Sequence, residues 1–378
     1  MLITLPDKRE LSVKRVVVKL GTKQLTDLTS INTENISGLV REIAQLRKKG
    51  VEFVITSSGA IGLGIFELYK DKDVSDKLTL SQKQAIAGLG QVRLMQIFKE
   101  EFNRHGLRVG QVLLTHYIFD NRTSYLNARN TLNSMLELGI TPIINENDSV
   151  AVEEIKVGEN DRLGAYVSLL SDSNLYIMLS DVDGFYQDYG TSSAKFIRVV
   201  DNIGAVMKYA CKQEENYTKG GMISKLQAAR IAARSGVPCV IANGFKKSIL
   251  TRIFEDLSEG TIFLPSPSSL NYKKRWISVK KPRGTIIVDD GAKNAVLLHK
   301  SLLASGISSA SGNFQYGDTV IISDSLGNEI GVGLSNYSQK DILLIAGRKN
   351  SEIETILGKE SKYSSVVHID NMVLSDDR

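Results

Sequence analysis

The sequence predicts an α/β protein with a largely parallel sheet, followed by a small β-barrel-like module. Apolar strands alternate with helix-periodic segments over residues 15–242, which is the pattern of βαβ units. The composition changes at the proline- and serine-rich residues 265–269, and from residue 284 onward short strands are separated by glycine turns. We therefore expect a first domain at residues 1–264, a linker at 265–283 and a second domain at 284–367.

The elements of the first domain follow from the spacing of apolar residues. Residues 15–22 contain three consecutive valines, as expected of a strand buried on both faces of a parallel sheet. From about residue 33, apolar residues recur at helical spacing until Gly50 ends the segment. The same reasoning predicts strands at 51–56, 108–115, 140–144, 174–180 and 238–242, and helices at 81–104, 125–138, 160–170 and 218–234.

The second domain shows short strands at 285–288, 319–322 and 329–334. Glycines at the turns between them fit a small barrel-like module. The tail after Val367 is polar, and we expect it to be loosely held.

Composition and charge argue against several classes of function. The net charge of +5, from 47 basic and 42 acidic residues, is too small to indicate a nucleic-acid-binding protein, although it suits anionic substrates. The two cysteines form no CxxC pair and the four histidines are scattered, which argues against a cysteine- or histidine-based metal site and indicates a reducing compartment. No apolar run approaches a membrane span, so we expect a cytoplasmic protein.

Residues 145–163 are the most informative stretch of the chain. An apolar strand ends there in the acidic and amide cluster 145–148, and a second such pair, Asn160 and Asp161, opens the next helix. Ligands of open α/β sheets bind beyond the carboxyl ends of the strands, so both clusters are candidates for one site. The alternative is a solvated loop whose side chains form turns and a helix N-cap.

Two lysines next to glycines indicate phosphate contacts. Lys19 interrupts the valine-rich strand just before Gly21, and Lys225 lies in the first turns of a helix that follows a glycine pair. Backbone N–H groups, a helix dipole and an ammonium group converge in such a place, which suits polyphosphate. The alternatives are a snorkelling edge lysine and an exposed lysine beside a helix cap. The small residues 57–64 are a weak further signal, and they match neither a Walker A loop nor GxGxxG.

Several motifs together resemble one family. They are VVVKLGT at 16–22, TSSGAIGLG at 56–64, PIINENDSVAVEEIKVGENDRL at 142–163, LSDVDGFY at 179–186, GGMISKLQAA at 220–229, RWI at 275–277, GTIIVDDGA at 284–292 and SGNFQYGDTV at 311–320. Over nearly its full length the chain resembles the glutamate 5-kinases of the amino acid kinase family, which carry a C-terminal PUA domain. The resemblance implies a three-layer α/β/α sandwich, ATP with Mg²⁺, and phosphorylation of the glutamate γ-carboxylate in proline biosynthesis.

The resemblance also implies roles for individual residues. Lys19 and Lys225 should neutralise phosphoryl charge, and Asp161 should orient them. Glutamate should be held by Ser58, Asp148 and Asn160. ATP should be bound by Lys19, Ser180, Asp181, Lys219, Gly220, Gly221, Met222, Ile223, Ser224 and Lys225. No dedicated metal site is expected, because the ATP phosphates should carry most of the Mg²⁺.

The sequence departs from the family pattern at three places. Lys23 occupies a position where the family often has serine, and Ser180 one where it often has threonine. Residues 217–219 precede the glycines at a place where Gly-Thr is common in the family. The third departure adds a charge beside the phosphates, so the resemblance does not decide whether Lys219 contacts the nucleotide.

Partners and rival functions follow from the same resemblance. It implies feedback inhibition by proline, a homo-oligomer (dimer or tetramer), and a glutamyl-phosphate reductase as a possible partner. One rival is another amino acid kinase acting on a different acid or a nucleotide. A second is an RNA-binding protein, whose phosphate-contacting edge would be the basic run at 273–283, although such residues are more often solvated. We expect no membrane partner and regard nucleic acid as unlikely.

Overall fold

The structure is a computed structural model, and the chain forms two compact units. It describes residues 1–5, 7–26, 31–69, 77–115, 117–150, 159–212, 221–265, 272–358 and 363–375. The first unit comprises residues 1–233 and 237–264, and the second comprises 234–236 and 265–378.

The first unit is built on a large sheet. Its strands are β1 (Leu2–Thr4), β2 (Glu10–Ser12), β3 (Arg15–Leu20), β4 (Glu52–Ser57), β5 (Arg108–Leu114), β6 (Ile140–Glu146), β7 (Leu175–Ser180), β8 (Phe185–Gln187), β9 (Lys195–Ile197), β10 (Val199–Val200), β11 (Cys239–Asn243) and β12 (Thr261–Phe263). In the described residues, eight of them pair in the order β10-β12-β11-β7-β3-β4-β6-β5. Every neighbouring pair is parallel except β11 with β12. The carboxyl ends of β11, β7, β3, β4, β6 and β5 therefore share one edge of the sheet.

Helices cover both faces of this sheet. They are α1 (Thr22–Leu25), α2 (Thr33–Lys48), α3 (Ala60–Tyr69), α4 (Leu80–Asn103), α5 (Tyr117–Asp120), α6 (Arg122–Glu137), α7 (Glu159–Leu170), α8 (Ile203–Lys212), α9 (Gly221–Arg234) and α10 (Ile249–Asp256). Apolar residues of α2, α4 and α10 form one core with Val16, Val18 and Leu20 of β3. Because side chains alternate along a strand, Val17 and Lys19 lie on the opposite face, where α7 packs against β3. The predicted three-layer sandwich with a mainly parallel sheet is confirmed.

Several elements were missing from the sequence-based prediction. In the first unit they include the hairpins β1–β2 and β8–β9, the strands β10 and β12, and the helices α1, α5, α8 and α10. Ser248, the N-cap residue just before α10, adopts a left-handed backbone and its side chain makes no capping hydrogen bond, so the usual N-terminal signal is absent there.

The second unit has its own sheet and core. Its strands are β13 (Gly284–Val288), β14 (Ile307–Gly312), β15 (Thr319–Ser323), β16 (Glu329–Leu334) and β17 (Met372–Leu374), paired in the order β14-β13-β15-β16-β17. Its helices are α11 (Tyr272–Val279), α12 (Asp290–Leu297), α13 (Gln339–Ile345) and α14 (Asn350–Leu357). Helix α11 lies in the stretch expected to be a linker, and it packs against β16 and β17.

The expectation of a loosely held tail after Val367 is wrong for the described residues. Met372, Val373 and Leu374 are buried and pair with β16 as an edge strand. The strand is three residues long and follows a polar segment, so its apolar side chains gave too short a pattern to be recognised.

In the described part of the chain, no helix has the length and apolar character needed to cross a membrane.

Candidate active site

A buried carboxylate joins the two predicted lysines. Lys19 Nζ lies 2.6 Å from Asp161 Oδ1, and Lys225 Nζ lies 3.2 Å from Asp161 Oδ2. The hydroxyl of Ser224 donates to Asp161 Oδ2 at 3.1 Å. Three separate elements, β3, α7 and α9, thus bring their side chains to one point at the carboxyl edge of the sheet.

Burial and charge set the protonation of this cluster. Burial alone would raise the pKa of Asp161, but Lys19 and Lys225 outweigh it and hold that pKa below its ordinary value. Burial lowers the pKa of Lys19, the charge of Lys225 lowers it further, and Asp161 opposes both. With all three groups ionised, one carboxylate faces two ammonium groups, and the cluster would carry a net positive charge next to the sheet edge.

A hydrogen bond to the backbone of Asp161, on α7, helps to hold this residue in place. The buried hydroxyl of Tyr176, on β7, donates to the main-chain oxygen of Asp161 at 2.8 Å. A Cβ at Gly164 would lie 2.4 Å from that hydroxyl, so glycine is needed one turn later for the ring to fit. The sequence analysis selected neither residue. A tyrosine inside an apolar strand, such as Tyr176, looks like an ordinary core residue.

The start of α9 offers donors beside the lysines. The helix begins at Gly221, so the first N–H groups of α9 lack intrahelical partners and can meet an anion. Met222 is buried, so any contact of that residue with a nucleotide is through its backbone. Ile223 is half-buried. Lys219 and Gly220 lie outside the described residues.

Ser180 is the last residue of β7, and Asp181 follows it. Strand β7 lies next to β3 in the sheet. Ser180 donates to Asp181 Oδ1 at 3.1 Å, and Lys23 Nζ lies 2.5 Å from Asp181 Oδ2. The hydrogen bond from Lys23 lowers the pKa of Asp181 despite partial burial. Lys23 therefore places a third ammonium at this edge. The sequence marked it only as a departure from the family pattern, because its partner is 158 residues away in the chain.

The residues predicted to hold an amino acid lie at the neighbouring strand ends. Ser58 follows β4, Asp148 follows β6 by two residues, and Asn160 precedes Asp161 on α7. Since β4 lies between β3 and β6 in the sheet, these side chains extend the site away from Lys23 and Asp181. Residues 151–158, between the two clusters of the stretch 145–163, lie outside the described residues.

This part of the site has unfilled hydrogen-bonding capacity. Burial raises the pKa of Asp148 to about 6, and among the described residues no cation offsets this effect. Asn160 Oδ1 is buried and has no hydrogen-bond partner within the described ranges. Asn145, near the end of β6, donates to Gln91 Oε1 at 2.8 Å, and its own Oδ1 has no hydrogen-bond partner among the residues that the structure describes.

Comparison with known proteins identifies the family. The model of the amino acid kinase family matches residues 14–243, and that of the PUA domain matches 284–357. Glutamate 5-kinase of Caldanaerobacter subterraneus subsp. tengcongensis is 42% identical over 367 residues, covering 95% of this chain and 97% of that protein. The chain belongs to the glutamate 5-kinases of the amino acid kinase family.

Other relatives match over the same length. Glutamate 5-kinase of Trichlorobacter lovleyi is 42% identical, covering 96% of this chain and 97% of that protein. The enzyme of that name from Pelobacter propionicus is 40% identical, covering 97% of this chain and 100% of its own. Membership of this kinase family implies that the chain is a phosphotransferase that uses ATP.

Proposed function

We propose that the site at the carboxyl edge of the large sheet transfers the γ-phosphoryl group of ATP to the γ-carboxylate of L-glutamate, the first step of proline biosynthesis. The observation that carries this proposal is the contact of Asp161 with both Lys19 and Lys225. It puts two ammonium groups at a point between the predicted nucleotide side, Ser180 and Asp181, and the predicted amino acid side, Ser58 and Asp148.

The chemistry needs positioning and positive charge more than it needs a base. A carboxylate oxygen of glutamate attacks the γ-phosphorus, the new O–P bond forms, the bond to the β–γ bridging oxygen breaks, and ADP leaves with that electron pair. The glutamate side chain has a reference pKa of ~4.3, so it is already ionised near neutral pH and loses no proton. The difficulty is the approach of an anion to a polyanion, which cations at the transferring group relieve.

The lysines have complementary positions for this task. Lys19 comes from the strand end beside Gly21, and Lys225 comes from the first turns of α9, whose N-terminal dipole has the same sign. Asp161 keeps the two ammonium groups at fixed positions and limits their mutual repulsion. Developing charge on the phosphoryl oxygens is then met without reorganisation of the site.

The amino acid end suits the charges of glutamate. The Asp148 carboxylate can pair with the α-ammonium group, and such pairing would bring its raised pKa back down. Asn160 and Ser58 supply neutral polar groups next to it. These assignments rest on the unfilled partners of Asp148 and Asn160.

Magnesium enters this scheme with the nucleotide. Within the residues that the structure describes, no three or more His, Cys, Asp or Glu side chains are grouped to hold a metal ion. Both oxygens of Asp161 are engaged by lysines. We therefore propose MgATP as the substrate, with the metal on the phosphate oxygens.

An ATP-dependent hydroxamate assay tests the function. We expect glutamate to give hydroxamate. Its kcat/KM should exceed those of aspartate, N-acetylglutamate, carbamate and UMP, which are measured in parallel ADP-release assays. Faster turnover of any of these other acceptors would contradict the substrate assignment.

The proposal extends to assembly, regulation and location. We propose a homo-oligomer, supported by apolar side chains exposed on α3 and α4, such as Phe66, Leu68 and Val92, and light scattering would measure its mass.

We also propose feedback inhibition by proline, to be tested by its effect on the glutamate saturation curve. The cytoplasmic location stays a prediction.

A glutamyl-phosphate reductase is a proposed partner, because acyl phosphates hydrolyse readily. Coupled assays of the two enzymes should show a shorter lag than separate diffusion predicts. An unchanged lag would remove this partner.

We propose a structural or regulatory role for the second unit rather than RNA binding. In its basic run, Lys280 Nζ lies 4.5 Å from the centre of the Trp276 ring, and Arg283 Nε lies 3.7 Å from Asp318. Filter binding over a salt series would contradict this role if it showed specific RNA affinity with a steep salt dependence.

A further inference from the structure

Gln24 is a buried polar residue one turn after Gly21, and its side chain has no hydrogen-bond partner among the described residues. It lies in α1, is 1% exposed, and neither its Oε1 nor its Nε2 has a hydrogen-bond partner among the described residues. Buried polar groups are nearly always paired, and an unpaired one destabilises the fold. A residue that served only to fill this space would be better apolar.

The position of Gln24 connects it to the phosphoryl end of the site. An ideal Cβ built on Gly21 would lie 2.7 Å from Gln24 Oε1 and 3.6 Å from Lys19 Nζ. The carboxamide oxygen and the ammonium group thus lie close to the same point, beside the glycine expected to admit phosphate. On its other side, a Cβ built on Gly244 would lie 3.0 Å from Gln24 Cγ, so the backbone of Gly244 leaves room for the Gln24 side chain.

Hydrogen-bonding capacity is unfilled on both sides of this gap. An ammonium group has three N–H donors, and Asp161 is the ion-pair partner that the described residues give to Lys19. Gln24 Oε1 is an empty acceptor near it. Both groups lie within 4 Å of the position that a Cβ on Gly21 would take, so they are close neighbours.

We propose that Gln24 is a positioning residue for phosphoryl transfer, whose amide oxygen accepts a hydrogen bond from Lys19 once nucleotide phosphate binds. Lys19 keeps its contact with Asp161, and the Gln24 oxygen accepts from a second N–H of the same ammonium group, which directs that group towards the transferring phosphoryl group. The inference rests on the proposed function, because it assigns Lys19 to the γ-phosphoryl group. It explains why a polar side chain is kept at a buried position where the described residues give it no hydrogen-bond partner.

Gln24→Met tests the proposal, because methionine keeps the length and removes the amide. We expect kcat to fall roughly tenfold, as for loss of a hydrogen bond to a charged group, with the KM for glutamate unchanged. We also expect the alkaline limb of the kcat profile to move to lower pH, because an acceptor favours the protonated form of Lys19. The thermal midpoint without nucleotide should rise, since an unpaired polar group has been removed from the interior.

Thr319→Val is the matched control in the second unit. Thr319 Oγ1 is also buried and has no hydrogen-bond partner in the described part of the chain, so this variant removes the same kind of defect from the other unit. It should keep the wild-type kcat and pH profile.

Two further measurements separate the possible failures. AMP-PNP should raise the thermal midpoint of Gln24→Met less than that of the wild type, and this readout does not depend on the acceptor. If the methionine variant folds poorly, Gln24→Leu is measured in the same way. Unchanged kcat, pH profile and AMP-PNP response in a folded variant would overturn the role of Gln24, whereas wild-type protein inactive on glutamate would overturn the proposed function alone.

Discussion

The two ends of the site differ in how much of their bonding is complete before any substrate binds. At the phosphoryl end, Lys19, Lys225 and Ser224 all contact Asp161, although the neighbouring Gln24 amide has no hydrogen-bond partner among the described residues. At the amino acid end, Asp148 has a pKa raised to about 6 by burial, and Asn160 Oδ1 has no hydrogen-bond partner in the described ranges.

The difference indicates a division of labour. A preassembled cation cluster loses little to reorganisation when charge develops on the phosphoryl group, so it should act on turnover. An end with unfilled partners gains interactions when the substrate arrives, so it should act on affinity. Variants at the two ends should therefore change different kinetic parameters.

Asp161→Asn should have the largest effect, because it releases both lysines at once. Two buried ammonium groups would lose their counter-charge, which typically destabilises a protein by about 3–5 kcal/mol. Without Asp161 the pKa of Lys19 should fall further, so the alkaline limb of kcat should move to lower pH. Calorimetry and a pH–rate profile measure these effects, and a wild-type midpoint with a wild-type profile would contradict them.

Lys19→Ala and Lys225→Ala should each lower kcat by about 10²–10³-fold, the usual loss for one preorganised transition-state contact. The KM for glutamate should change much less. Rapid-quench measurements with labelled ATP give the rate of the chemical step. Lys293→Ala is the control, because it removes a lysine that pairs with Asp324 in the second unit. Near-normal turnover in both active-site variants would remove the mechanism.

Asp148→Asn and Asn160→Ala should act mainly on glutamate, raising its KM roughly 10–100-fold through loss of hydrogen bonds to charged groups. Saturation curves at fixed ATP measure the effect. Asp201→Asn is the matched control, since Asp201 is an exposed carboxylate that pairs with Arg9. An unchanged glutamate KM in Asn160→Ala would contradict the substrate assignment.

The pKa of Asp148 predicts an acid limb in the wild-type profile. The ionised carboxylate binds an ammonium group and the protonated form does not, so kcat/KM for glutamate should rise with pH through about 6 and then level off. This limb should disappear in Asp148→Asn. A limb that persists there near pH 6 would have to come from another group.

Lys23→Ser should have the smallest effect, a few-fold rise in the KM for ATP. The ion pair with Asp181 is exposed, and such pairs contribute little in water, but the ammonium group adds attraction for phosphate. The rise should shrink at high salt, because exposed charges are screened. Equal effects at low and high ionic strength would show that Lys23 acts by another route.

The sequence predicted the elements with strong apolar periodicity, such as β3 and α2, and it selected Lys19, Asp161 and Lys225 by their place after strands or at helix starts. What it missed depends on distant partners. The Lys23–Asp181 pair and the contact of Tyr176 with α7 need the tertiary fold. The roles assigned to the site residues stay predictions.

One measurement tests the division of labour most directly: the rate of hydroxamate formation against glutamate concentration for Lys225→Met and Asp148→Asn in the same assay. We predict that Lys225→Met saturates at the wild-type glutamate concentration with a much lower plateau. Asp148→Asn should approach the wild-type plateau at much higher glutamate. If both variants changed plateau and midpoint to the same extent, the two ends of the site would not have separate tasks.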